Sequence, residues 1–220
     1  MRALIIGHRG GIGAALDANL RASGWDVVGI SRSTHGLDFR KPDSIDLAFA
    51  DITGPFDSVV IATGQLHGAG GAPEKSLKAL TADAMADQFL VNCIGPAMIL
   101  RQLPRFLAKD RPSKIMVLTA RVGSITDNKM GGWYSYRAAK AALNQVVHTA
   151  AIELARSHKQ SCLIAYHPGT VATKFTADYQ GAHKAVSSDE AAQNIVRVSR
   201  LMSSEQTGHF YDWRGAQVPW

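Results

Sequence analysis

The chain has 220 residues, 46% hydrophobic and 19% charged, which excludes a disordered chain and fits a single globular domain over residues 1–220. A net charge of +6 permits an anionic partner, but Lys and Arg are scattered, without a basic run or interleaved aromatics. A phosphate-bearing small ligand accounts for that charge as well as nucleic acid would, and no nucleic-acid partner is expected. No apolar run reaches the roughly 18–20 residues of a membrane span, and "MRALIIG" is too short for a signal peptide, so a cytoplasmic protein without a membrane partner is expected.

In chain order, the first predicted strand is "ALII", residues 3–6. "GHRGGIG", Gly7 to Gly13, follows, and a helix over 12–22 ends at the stop signal Ser23-Gly24. The loop does not fit G-x-G-x-x-G, because Gly11-Ile12-Gly13 continues into Ala14, Ala15 and Leu16; it fits G-x-x-x-G-x-G on Gly7, Gly11 and Gly13. Such a loop either cradles a phosphate with backbone N–H groups and the helix's positive end, or simply makes a tight turn. Further strands are read at 26–31, 58–63, 114–119 and 162–167, each a continuous apolar run of the kind buried on both faces, and a last strand at 208–213. Helices are read at 82–103, 134–157 and 188–202, the last opened by the capping-box candidate Ser187-x-x-Glu190. Alternating strands and helices predict a parallel sheet with helices on both faces.

Chemistry-bearing residues cluster at strand ends. "ATG", Ala62 to Gly64, closes one strand, and "PGTVAT", Pro168 to Thr173, turns away from another. Ligands bind at such carboxyl ends in open α/β sheets. Asn92 is a polar residue inside an apolar helix. Tyr136 and Lys140 stand four apart on one helix face, a spacing shared by catalytic pairs and ordinary surface pairs. Eight histidines form no H-x-x-x-H or Cys/His cluster, so no metal is expected. Cys93 and Cys162 stand in apolar contexts and read as structural thiols. There is no G-x-S-x-G elbow and no Walker lysine.

Taken together, these motifs resemble the short-chain dehydrogenase/reductase family over essentially the whole chain. "GGWYSYRAAKAALN" and "GHFYDWRGAQVPW" look most like its branch of C-factor and sniffer-type carbonyl reductases. The resemblance implies a Rossmann-type, doubly wound, mostly parallel seven-stranded sheet. It implies NADP(H)- or NAD(H)-dependent, reversible reduction of a ketone or aldehyde. Tyr136 would be the general acid, its pKa lowered by Lys140 together with the positive oxidised nicotinamide; Lys140 would also hold ribose hydroxyls. Asn92 would kink its helix and anchor a relay water. The cofactor would rest on Gly7, Arg9, Gly11, Ile12, Gly13, Asp38, Ala62, Thr63, Gly64, Pro168, Gly169, Val171 and Thr173.

There are two departures. The family's catalytic serine falls on Ala120, leaving Ser124, Thr119 or nothing as its replacement. The second strand ends in Ser31-Arg32 without the acid that binds NAD ribose, and Arg9 can join Arg32 on a 2′-phosphate, so NADP is expected over NAD. An NADP(H)-binding signalling protein with little turnover is the rival that Ala120 motivates. Trp133 and Trp220 either line a pocket or pack. The segments 65–76, 124–134 and 174–187 would choose the substrate, with 174–187 as a flap. Family members often pair, as dimers or tetramers, through helices here at 82–103 and 134–157.

Overall fold

The computed structural model describes residues 1–173, 175, 176 and 185–220. Strands β1 (Arg2–Ile6), β2 (Asp26–Ile30), β3 (Ser58–Ile61), β4 (Lys114–Leu118), β5 (Cys162–His167) and β6 (Phe210–Asp212) form one sheet. Its order is β2-β1-β3-β4-β5-β6, and all neighbours run parallel. The described residues thus form six strands, where the resemblance implied seven. Between β2 and β3 the chain folds into two short helices, α2 (Arg32–His35) and α3 (Asp43–Ala48), instead of extending a strand beyond β2. Gly36 and Pro42 punctuate that stretch.

Apolar strand positions alternate between two cores. Leu4, Ile6, Val59, Ile61, Ile115, Val117, Leu163 and Ala165 face one side. There they meet Ile45 of α3, Ile99 of α5 (Gly95–Gln102) and Leu143 and Val147 of α6 (Tyr134–Ser157). Ile5, Val60, Met116 and Ile164 face Leu16 and Leu20 of α1 (Gly11–Ala22) and Ile195 and Val198 of α7 (Ser188–Leu201). Burial on both faces explains why the strands read as continuous runs.

The helix expected over 82–103 is broken into three parts. α4 (Ala82–Phe89) passes into a π-turn, Leu90–Ile94, before α5 resumes. Asn92 lies in that π-turn, the segment where a kink was expected. The Ser187 hydroxyl accepts from Glu190 N at the start of α7, as its spacing suggested. No helix among the described residues is long and apolar enough to cross a membrane.

Candidate active site

The chain turns back between β1 and β3, so their carboxyl ends open a crevice. Gly7 leaves β1 with φ +91, and a Cβ there would lie 2.7 Å from the Ala62 carbonyl oxygen. A Cβ on Gly13 would lie 2.2 Å from the Gly7 carbonyl oxygen. Only glycine lets α1 begin this close to the loop. Gly10, the N-cap of α1, offers no side chain to the first-turn amides, and no acidic residue stands in that turn. Those donors are left for an anion. At Gly11 a Cβ would be 2.5 Å from the Thr173 methyl, which brings "PGTVAT" beside the glycine loop.

The end of β2 is assembled differently. Ser31 is buried, and its hydroxyl accepts from Thr34 N as the cap of α2. Arg9 and Arg32 are exposed, and neither makes an ion pair among the described residues. Asp38 accepts from Arg40 N, closing the turn after Leu37. His8 was missed in the sequence. Its ring lies where a Cβ on Gly29 would be, 2.4 Å from the ring atoms, and its Nε2 is 3.3 Å from the Thr34 hydroxyl. It therefore ties the glycine loop to β2 and α2. Burial pulls its pKa below the ordinary value.

Tyr136 and Lys140 are both buried on α6, with the ammonium 5.8 Å from the phenol ring centre. Lys140 Nζ donates to the Leu118 carbonyl at 3.3 Å. A Cβ on Gly64 would be 2.9 Å from Asn92 Oδ1 and 3.5 Å from Lys140 Nζ, so Gly64, Asn92 and Lys140 converge. Burial lowers Lys140 to about 8. Burial pushes the Tyr136 phenol up in the protein alone; the lowering expected from Lys140 belongs to the site with the oxidised nicotinamide beside it. Asn92 makes three side-chain hydrogen bonds among the described residues and keeps one acceptor site on Oδ1. Its Oδ1 accepts from Gln65 N, and its Nδ2 donates to the Gln65 carbonyl and to Gln88 Oε1.

Ser124 and Thr119 flank Ala120 in sequence, and each is buried. Ser124 is buried, and its hydroxyl accepts from Asp127 N inside its own turn. Thr119 is buried with its hydroxyl unpartnered. The apolar row Ile61, Val117, Ala165 and Phe210 crosses the sheet. Two residues further along the same strands come Thr63, Thr119, His167 and Asp212, and the first three carry an unpartnered buried polar atom. Burial pulls His167 down to about 4, so its ring is neutral.

The segment 65–76 is pinned rather than loose. Asp87 accepts from Gln65 Nε2, Ala69 N and Arg40, and Gln88 holds the Leu66 carbonyl. Trp133 packs edge-on against Tyr136 at 6.1 Å, whereas Trp220 stacks on Phe210 at 5.8 Å as a packing residue. The proposed flap 174–187 lies for the most part outside the described residues. No group of metal-ligating side chains occurs among the described residues.

Residues 7–210 match the family model described as "Enoyl-(Acyl carrier protein) reductase". The chain belongs to the short-chain dehydrogenase/reductases. Among relatives, the 1-hydroxy-2-glutathionyl-2-methyl-3-butene dehydrogenase of Rhodococcus is 27% identical, over 99% of this chain and 98% of that protein. The C-signal protein of Myxococcus xanthus is 31% identical, over 62% of this chain and 78% of that protein. A short-chain dehydrogenase/reductase of Burkholderia multivorans, solved with bound NADP, is 26% identical with a TM-score of 0.83, covering 100% of this chain and 99% of that one. In this short-chain dehydrogenase/reductase the motifs read from the sequence therefore sit in a fold shared along the whole chain.

Proposed function

We propose that the protein is an NADP(H)-dependent oxidoreductase that reversibly reduces a ketone or aldehyde to an alcohol. The observation that carries this reading is the buried Tyr136–Lys140 pair on α6, with Lys140 Nζ beside Gly64 and Asn92. The residues fit the cofactor. Glycine-only backbone at Gly7 and Gly13, with Arg9, Gly11 and Ile12, would hold the pyrophosphate. Ser31, Arg32 and Arg9 would take the 2′-phosphate, and Asp38 the adenine. Ala62, Thr63, Gly64, Pro168, Gly169, Val171 and Thr173 would line the nicotinamide half. The NADP bound by the Burkholderia relative supports this assignment. When bound, NADPH supplies a hydride.

The chain's own residues do the rest. Tyr136 would give its phenol proton to the carbonyl oxygen. Lys140 would hold ribose hydroxyls and steady the phenolate left behind. Asn92 would fix Gln65 and Gly64 beside Lys140 through the bonds it makes to Gln65. A relay water would rest on Asn92 within the π-turn. Ser124 would hydrogen-bond the substrate carbonyl in place of the serine absent at Ala120.

A signalling protein with little turnover is the second reading, favoured by Ala120 and by the likeness to C-signal. The test is NADPH consumption against a panel of aldehydes, ketones and quinones, with Ala120→Ser beside the wild type. Wild-type turnover supports the reductase. Silence in the wild type with turnover restored by Ala120→Ser supports the second reading.

A further inference from the structure

Glu74 and Ser135, 61 positions apart, are buried against each other. The Ser135 hydroxyl and amide both donate to the Glu74 carboxylate, the amide at 3.3 Å. No cation pairs with Glu74 among the described residues. A buried carboxylate without a cation is costly unless donors surround it. Here they come from the start of α6, where the helix's positive end also favours the charge.

The sequence before α6 explains why such a partner is needed. Trp133 is the N-cap, and its side chain caps no helix amide. It has φ 54, a backbone conformation that bulky residues rarely adopt. Two other contacts hold that turn. Trp133 N donates to the Glu74 carbonyl at 2.5 Å, and Arg137 donates to the Gly132 and Gly131 carbonyls. Glu74 therefore binds α6 through its backbone at the N-cap and through its carboxylate two residues later. Tyr136 is the next residue, and Trp133 packs on its ring. Glu74, with Pro73, Lys75, Thr81 and Gln88, also lines a cleft of about 400 Å³ that reaches Tyr136.

We propose that Glu74 is a positioning residue for the reductase step: it caps α6 from a distance and thereby sets where the Tyr136 phenol meets the cleft. The proposal rests on Tyr136 being the proton donor. A displacement of about 1 Å at such a group is enough to cost on the order of 100-fold in rate.

The test uses the full chain as wild type, Glu74→Ala, Glu74→Gln and Tyr136→Phe. It reads kcat and KM on the best aldehyde of the panel, NADPH affinity by fluorescence, and amide exchange over residues 133–137. Glu74→Ala is expected to lower kcat by about tenfold or more, with NADPH affinity within about twofold, and to speed exchange over 133–137. Glu74→Gln keeps an acceptor for Ser135 and is expected to recover most of the kcat. Unchanged kcat and exchange in Glu74→Ala would overturn the proposal, as would a kcat loss matched by an equal loss of NADPH affinity. Wild-type turnover that survives Tyr136→Phe would instead overturn the assignment of Tyr136, while the exchange rates still report whether Glu74 holds the turn.

Discussion

At the glycine loop the deciding contacts are between backbones. Gly7 and Gly13 are glycines because a Cβ would lie 2.7 and 2.2 Å from a carbonyl oxygen, and each clash involves a segment next to a strand end. Across the site, the turn before Tyr136 and the segment after β3 are held by side chains from distant segments. Glu74 reaches Ser135, Asp87 gathers Gln65, Ala69 and Arg40, and Asn92 clamps Gln65. The first region writes its requirement into residue type and spacing. The second writes it into partners that no local pattern joins, which is how one cofactor cradle can serve varied pockets.

The sharpest break of that contrast is Gly13→Val. It is expected to abolish NADPH binding, a loss of at least about 100-fold or ~2.7 kcal/mol, read by fluorescence titration. NADPH affinity retained in that variant would show that the loop tolerates a side chain.

Next in size is Lys140→Met. The folded pKa of about 8 lies below the ordinary lysine value of 10.5, so the unfolded chain holds this proton more tightly. Its contribution therefore rises as pH climbs from about 8 to about 10.5, and below 8 the full penalty is present. Removing the charge is expected to raise stability at pH 7 by up to ~3 kcal/mol while abolishing turnover, with the stability gain fading toward pH 10.5. Denaturant melts at pH 7 and pH 10 check this, and a destabilised variant at pH 7 would contradict it. The wild-type rate is likewise expected to fall as pH rises through about 8.

A smaller effect is expected at the adenine end. Arg9→Ala with Arg32→Ala should weaken NADPH by about 10- to 100-fold and leave NADH unchanged, measured as the ratio of the two affinities. Equal losses for both cofactors would remove these arginines from the 2′-phosphate. Smallest is Ser124→Ala set against Thr119→Val. A fall in kcat of about tenfold in the first alone supports Ser124 as the carbonyl donor. A fall confined to Thr119→Val would transfer that role.

Much of the fold was legible because burial on both faces leaves plain apolar runs. β5 and α6 lie where the sequence put them, at Cys162–His167 and Tyr134–Ser157. The seventh strand was not legible as absent, since it came from the resemblance and not from an apolar run. The π-turn at Leu90–Ile94 was hidden inside a continuous helical pattern, with Asn92 its only signal. In the site, Gly7, Gly11, Gly13, Tyr136 and Lys140 announced themselves by spacing. His8 and Glu74 did not, because their partners at Gly29 and Ser135 are distant in sequence. The lowering of the Tyr136 pKa was expected from Lys140 and the oxidised nicotinamide together; the burial that raises it in the protein alone is a property of the folded pocket.

The central claim is that Tyr136 delivers the proton in an NADPH-dependent carbonyl reduction. The most direct measurement is kcat for Tyr136→Phe beside wild type, on the same substrate, with NADPH affinity measured in both. The account expects kcat to fall by about 10²- to 10⁴-fold with NADPH binding unchanged. Turnover near wild type in the phenylalanine variant would contradict it.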